Sequence, residues 1–399
     1  MVKTMPFAIA VLLALFTLCS NAKETKSFPS HTVYKKSISP SKYSQDDLDD
    51  HVREYYRRWK KDFLVKEGVF YRIATDKKDR SRTVSEGQGY GMIITAFFAG
   101  EDKDAKKIFD GLFNFAKANP SDIRKEFMTW QVPAKKGESD SAFDGDADIA
   151  FALLLADRQW GSEGVINYKK EALTVINSLL KYTVGAKSSL PLLGDWVDPN
   201  GKSYNQYTTR SSDFLISHFK TFYKYTKNDR WANVVKSCLK ALTFIQRLPT
   251  NKTSLVSDFI IYKKNEKTYL PAPRRFLETE DDSYYYNACR VPLRIGADAL
   301  LNDDKNSKEI LKNMLRWIVK STKNDAKNIK SGYRLDGVII GEYFSIVFAA
   351  PFGVAAKAVL NQSFLDSVYE TIKDRHENYY EDSVTLLSLL LITNNYWSP

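Results

Sequence analysis

The stretch Val165-Ile166-Asn167-Tyr168-Lys169-Lys170-Glu171-Ala172-Leu173-Thr174-Val175-Ile176-Asn177-Ser178-Leu179-Leu180-Lys181-Tyr182-Thr183 decides the fold class. Its apolar residues, Val165, Ile166, Ala172, Leu173, Val175, Ile176, Leu179 and Leu180, recur at helical spacing. Working outward, similar patterns predict helices over 46–63, 86–99, 103–117, 145–158, 165–183, 210–225, 229–246, 288–301, 306–321, 341–359, 362–374 and 379–393. The last of these carries Leu386, Leu387, Leu389, Leu390 and Leu391 and is apolar nearly all round, so it should be buried on most sides.

The connections alternate in length. Short links (100–102, 159–164, 226–228, 302–305) follow the second, fourth, sixth and eighth helices, and long ones (118–144, 184–209, 247–287, 322–340) precede the fourth, sixth, eighth and tenth. Long loops inside a compact domain are usually functional. Antiparallel helices joined this way put every long loop on one face. That is the pattern of a double ring, six inner helices and six outer, with the even-numbered helices inside and a cleft at their N-termini. Strand character is confined to 247–287, where Leu255 to Tyr262 and Thr268-Tyr269-Leu270 read as a hairpin. No Pro/Ser-rich linker interrupts the chain, so 45–399 is expected to be a single domain.

At 399 residues, with 43% hydrophobic and 27% charged residues, the composition excludes a disordered chain, a collagen and a coiled-coil rod. The net charge is +11, but the bases are spread thinly. Arg57, Arg58, Lys60 and Lys61, and Lys77, Lys78, Arg80 and Arg82, read as solvated surface. With no recognition motif, nucleic acid is not an expected partner. Lys3, the apolar run Phe7 to Leu18 and Ser20-Asn21-Ala22 form a secretory signal peptide over 1–22, cleaved after Ala22. The run is shorter than the roughly 20 residues of a bilayer span, so a soluble, secreted, monomeric protein is expected, preceded by a polar, mobile lead-in over 23–44. Cys19 leaves with the leader; Cys238 and Cys289 either pair or remain buried thiols, and no zinc spacing occurs. Asn251-Lys252-Thr253 and Asn361-Gln362-Ser363 are glycosylation sequons.

Polar clusters sit just before the even helices. Ser85-Glu86-Gly87-Gln88-Gly89-Tyr90-Gly91-Met92 opens the second; it is no phosphate loop, since no Lys-Ser/Thr follows and no strand precedes it. Taken alone, Glu86 could be no more than a helix N-terminal charge. Asp140-Ser141-Ala142-Phe143-Asp144-Gly145-Asp146-Ala147-Asp148 precedes the fourth helix, and Phe151 stands where a calcium loop needs Glu. Here Asp146 and Asp148 are expected to be caps or first-turn charges and Asp144 to enter the cleft. A third cluster, Phe276-Leu277-Glu278-Thr279-Glu280-Asp281-Asp282, leads to Tyr284-Tyr285-Tyr286-Asn287-Ala288-Cys289-Arg290; its acids read otherwise as a solvated turn. Carboxylates facing each other across a trough with Trp130, Trp196 and tyrosines suit an oligosaccharide, because aromatic faces stack on sugars and paired carboxylates hydrolyse glycosidic bonds.

Several of these motifs resemble glycoside hydrolase family 8. They are Ser85 to Gly91, Asp144-Gly145-Asp146-Ala147-Asp148-Ile149-Ala150, Met128-Thr129-Trp130, Leu193-Gly194-Asp195-Trp196, Arg210-Ser211-Ser212-Asp213-Phe214, Tyr286 to Pro292, Ala350 to Ala356 and Tyr379-Tyr380-Glu381-Asp382-Ser383. They occur in family order and span roughly 45–399. The resemblance implies an all-α (α/α)6 barrel and endo-acting, inverting hydrolysis of β-1,4-linked polysaccharide without metal or cofactor. It implies Glu86 as general acid and Asp144 as the residue that holds the central sugar. Asn287 stands where many members have an Asp base, and the subgroup similar to chitosanases and lichenases points to Glu278 instead. The matched motifs also place Trp130, Trp196, Asp213, Tyr286, Asn287 and Arg290 among substrate-binding residues. Glu86 should be held protonated by burial, and Glu278 ionised at roughly 6.5–9.5 Å from it. Chitosan and β-glucan are both open as substrates; Glu138, Asp140, Asp144, Glu278, Glu280, Asp281 and Asp282 favour chitosan if they face the cleft. The alternative is a carbohydrate-binding protein with weakened catalysis, which Asn287 would favour.

Overall fold

A computed structural model describes residues 26–399; the leader expected over 1–22, with Cys19, lies outside the described residues. All twelve expected helices are present: α1 (Gln45–Phe63), α2 (Ser85–Phe97), α3 (Ala105–Ala118), α4 (Phe143–Trp160), α5 (Tyr168–Tyr182), α6 (Ile216–Thr226), α7 (Arg230–Gln246), α8 (Val291–Leu301), α9 (Lys305–Ser321), α10 (Ile346–Ala358), α11 (Gln362–Ile372) and α12 (Tyr379–Ile392). The even helices touch in the closed order α2, α4, α6, α8, α10, α12 and back to α2. Each odd helix packs outside an even one: α3 on α2, α5 on α4, α7 on α6, α9 on α8, α11 on α10 and α1 on α12. This is an (α/α)6 barrel.

Sequence sets the two rings apart. In α9, Ile310, Leu311, Met314, Leu315 and Ile318 form a buried stripe, while Lys312, Arg316 and Lys320 are exposed. This is the one-sided pattern of an outer helix. In α10 every residue is buried, and in α12 all but Tyr380 and Glu381 are. The opening stretch is shorter than its apolar pattern: α5 starts at Tyr168, because the Asn167 side chain accepts from the Lys170 N–H and caps it. That leaves Val165 exposed.

The expected hairpin forms as β6 (Phe259–Lys263) and β7 (Thr268–Pro271), with Ile261 opposite Leu270. The strand β5 (Thr208–Arg210) pairs with β6, so α6 begins at Ile216 rather than 210. Two further pairs were not expected. The strands β1 (Leu64–Glu67) and β2 (Phe70–Ile73) turn at Gly68, whose φ of 62° favours glycine. The other pair, β3 (Thr83–Val84) and β4 (Gln131–Val132), joins the loops before α2 and α4.

The polar lead-in over 26–44 is bound to the barrel, contrary to the mobile segment expected. The Phe28 ring stacks on Phe98 at 4.6 Å, the Ser30 N–H donates to Asn395 Oδ1 at 2.8 Å, and the Tyr34 hydroxyl donates to the Tyr396 carbonyl at 2.7 Å. Cys238 and Cys289 are buried free thiols. Both sequon asparagines already have backbone partners: Asn251 Nδ2 donates to the carbonyls of Ile245 and Leu255, and Asn361 caps α11.

The inner ring is drawn together most tightly where the N-termini of α2 and α4 meet. A Cβ on Gly145 would lie 2.7 Å from the Ser85 carbonyl carbon, and one on Gly89 would lie 2.7 Å from Asp148 Cβ. Only glycine permits this approach, which sets Glu86 and Asp144 side by side. Gly145→Ala should therefore destabilise the protein by about 1–3 kcal/mol, the usual cost of overpacking. Chemical denaturation would check this; an unchanged midpoint would show that the two helices can separate freely.

Candidate active site

A cleft of about 760 Å³ opens at the N-terminal ends of the inner helices. Its lining comes from five loops: Arg82, Ser85 and Glu86 before and at α2; Trp130, Glu138, Asp140 and Asp144 around α4; Trp196 and Arg210 before α6; Leu277, Glu278, Asn287 and Arg290 before α8; and Tyr379 at α12. A second hollow of about 770 Å³ lies over α7, lined chiefly by Val235, Leu239, Phe244 and Leu248 with Lys236, Lys240 and Arg247. It gathers no pair of carboxylates, so the chemistry belongs to the first.

The loop before α2 is held by backbone pairing. Strands β3 and β4 run side by side, and the Ser85 N–H donates to the Trp130 carbonyl at 2.9 Å. Trp130 therefore flanks Glu86, with the Arg82 guanidinium 5.5 Å from its ring. Arg82 is exposed, as expected of it, and its place is at the cleft.

Arg290 is buried at the centre. Its Nη1 donates to Glu86 Oε2, to Asp144 Oδ2 at 2.8 Å and to the Tyr90 hydroxyl at 3.3 Å. Its Nη2 donates to Ser212 Oγ at 2.9 Å and to Asn287 Oδ1 at 3.0 Å. Tyr379 donates its hydroxyl to Glu86 Oε1 at 2.7 Å. Burial raises the Glu86 carboxyl above its ordinary range, opposed by the Arg290 charge and aided by the negative Asp144. Burial would raise Asp144 too, but Arg210 and Arg290 outweigh it and hold Asp144 low. Two neighbouring carboxylates are thereby driven apart, one toward the acid form and one toward the anion.

Glu278 faces the same cleft, and its Oε2 accepts from Asn287 Nδ2 at 2.9 Å. Its loop is stapled by Asp281, which accepts the backbone N–H groups of Leu277 and Glu278, and braced by Tyr204, whose hydroxyl donates to the Phe276 carbonyl. Trp196 packs edge-on against Tyr204, so one aromatic group supports the other wall. The acids Glu280 and Asp282 pair with Arg274, and Asp281 is fully buried. None of these three lines the cleft, which corrects the expectation that they would meet a cationic sugar. Glu138 and Asp140 do line it, and burial pushes Asp140 up to about 6, helped by Asp195 and Glu138.

Of the residues singled out from sequence, Glu86, Glu278, Asp144, Trp130, Trp196, Asn287 and Arg290 come together here. Asp213 does not. It is fully buried behind Arg210, and neither carboxylate oxygen has a hydrogen-bond partner. Tyr286 stands outside the lining, with its hydroxyl 2.7 Å from that of Tyr343. Asp146 is a first-turn charge of α4, one of the two roles expected, and it accepts the Met128 N–H at 2.9 Å. Asp148 is neither a cap nor a first-turn charge; it lies in the barrel core against Arg294 and His218. Arg210 and Tyr379 were missed as site residues. Their signal was positional, since each opens a quoted motif at the head of an inner helix.

A family model described as "Glycosyl hydrolases family 8" matches residues 49–394. An endoglucanase from Bacillus sp. (strain KSM-330) is 40% identical over 393 residues, 95% of this chain and 83% of that protein. A beta-glucanase from Niallia circulans is 37% identical over 384 residues, 94% of this chain and 92% of that one. The solved apo structure of a beta-1,3-1,4-glucanase from Paenibacillus sp. X4 superposes with a TM-score of 0.89 at 37% identity, covering 94% of this chain and 99% of that one.

Asp213 yields a test of the site's electrostatics. Burial pushes its carboxyl up to about 7, opposed by Arg210, from an unfolded value near 3.8. Between those values the folded protein keeps a proton that the unfolded chain releases. The group's contribution to stability is thus fully present at lower pH and declines until pH passes 7. Asp213→Asn cannot ionise, so its melting temperature should gain on that of the parent as pH rises from about 4 to 8. A difference that does not vary with pH would show Asp213 to be ionised throughout.

Proposed function

The chain belongs to glycosyl hydrolases family 8 and is a glycoside hydrolase; from this premise we propose that it is an endo-acting, inverting enzyme that cuts β-1,4 bonds in β-glucan. The observation that carries the reading is the pair Glu86 and Glu278 in one cleft, the first half-buried and pushed toward its acid form, the second held by an amide. Glu86 gives its proton to the glycosidic oxygen as the C–O bond breaks. Glu278 takes a proton from water, which attacks the opposite face of the sugar. The Glu86 carboxylate left behind meets two donors already in place, Arg290 and Tyr379. Burial therefore keeps the proton until transfer, and the donors stabilise the anion afterwards. Asp144, anchored by Arg290 and lining the cleft, holds the central sugar. Trp130 and Trp196 offer faces to flanking sugars.

The relatives named endoglucanase, beta-glucanase and beta-1,3-1,4-glucanase support cellulose-type and mixed-linkage glucans as substrates. Glu138 and Asp140 at the cleft favour a second reading, a glucosamine polymer whose ammonium groups they would pair with. The signal-like sequence at residues 1–22 supports action outside the cell.

Removing the acid tests the mechanism. Glu86→Gln should lose about 10²-fold or more in rate while keeping its fold. NMR at early times should show α-anomeric product from the parent enzyme. Near-parental activity in the variant, or retained β product, would overturn the assignment. Initial rates on lichenan, carboxymethyl-cellulose and chitosan, at one pH and ionic strength, should rank lichenan above chitosan; the reverse order would establish the second reading.

A further inference from the structure

Contact with sugar alone does not account for Asn287. It is 6% exposed, and both ends of its amide are engaged. Oδ1 accepts from Arg290 Nη2 at 3.0 Å. Nδ2 donates to Glu278 Oε2 at 2.9 Å and to Asp258 Oδ2 at 3.3 Å. Asp258 in turn accepts the backbone N–H groups of Tyr285, Asn287 and Ala288 at 2.9, 3.1 and 2.7 Å, and so fixes the turn that presents the amide. Because Arg290 Nη1 also reaches Glu86, a continuous hydrogen-bonded path runs from one reacting carboxylate to the other: Glu278, Asn287, Arg290, Glu86.

We propose that Asn287 is a positioning residue that orients the base Glu278 and the cation Arg290 as a unit, and that this position requires an amide. The proposal rests on the reading of Glu278 as the base. Its physical ground is the direction of the hydrogen bonds. A guanidinium presents only donors and a carboxylate only acceptors, so the group between them must accept on one side and donate on the other. An Asp side chain has the shape of Asn but no donor. It would set a third negative charge against Glu278 and Asp258, with Arg210 and Arg290 as the facing cations and Glu86 and Asp144 beyond Arg290. Burial already pushes Asp258 up to about 7, so the pocket has little capacity for another anion.

The test uses the full chain acting on soluble lichenan, with kcat and KM followed from acid to mildly alkaline pH. Asn287→Asp should lower kcat about tenfold at the parental optimum and move the acidic limb of kcat/KM upward by about one pH unit, with a small change in KM. Asn287→Ala removes all three side-chain bonds without adding charge; it should lower kcat and move the limb the same way by less, and it serves if the Asp variant does not fold. A raised KM with an unmoved acidic limb would reduce Asn287 to a sugar contact. A lowered melting temperature with parental kinetics would make it merely structural. Either result overturns the proposal. Glu278→Gln separates this from the base assignment: if that variant keeps its rate, the base reading falls and the proposal with it. If Glu278→Gln is inactive while Asn287→Asp behaves like the parent, the positioning role alone fails.

Discussion

Arg290 is the interaction on which the rest depends. A guanidinium buried to 2% exposure would be intolerable alone, since removing a charge from water costs several kcal/mol even after relaxation. Here Nη1 and Nη2 make five hydrogen bonds, to Glu86, Asp144, Tyr90, Ser212 and Asn287. The partners come from the heads of α2 and α4 and from the turns before α6 and α8, so one side chain sets the relative positions of four inner elements. It also makes the two neighbouring carboxylates unequal. A fully buried Asp144 stays charged only because Arg210 and Arg290 stand against it, and that charge in turn discourages a second anion at Glu86.

Beneath this lies a second polar layer. Arg294 donates to both oxygens of Asp148, at 3.0 and 2.7 Å, and His218 lies 3.0 Å from the same carboxylate. Tyr90 joins the layers, since its hydroxyl accepts from Arg290 at 3.3 Å and from Arg294 at 3.4 Å. The His218 ring stacks on Phe151 at 3.7 Å, so the polar column is walled by aromatic core. Ion pairs in such a setting add little net stability compared with apolar packing, but removing one partner would leave the other buried and uncompensated, at a cost of about 3–5 kcal/mol.

Much of this was legible in the sequence, for definite reasons. The helices announced themselves by period, and the inner ones by the loss of a polar face, as in Leu386 to Leu391. The alternation of short and long links told which helix ends share a face. Glu86 and Glu278 were accessible because one opens an even helix and the other stands in the long loop before one. Direction within a turn was not accessible. Asp213 follows two serines in a motif that otherwise serves the cleft, yet the short 3-10 turn at 211–213 rotates it into the core. The acidic run 280–282 looks uniform in sequence, but Asp281 turns inward to take backbone N–H groups while its neighbours pair with Arg274. Lead-in residues 26–44 carry no period at all; their attachment depends on Phe28 finding Phe98 and on residues more than 360 positions away at the other end of the chain.

That last attachment bears on how the molecule comes into being. The ring closes through contacts of α12 with α2 and α1, and the lead-in then crosses over Asn395 and Tyr396. Residues 26–34 and 395–397 are therefore neighbours across the same seam. No chain that stops short of α12 can complete the barrel, because α12 is the piece that closes it onto α1 and α2. Early helix pairs such as α2 with α3 can form as they emerge, while the cleft, which borrows Tyr379 from α12, waits for that helix. Such a fold sets its most non-local contacts between its first and twelfth helices, and makes a finished site the sign that both have docked.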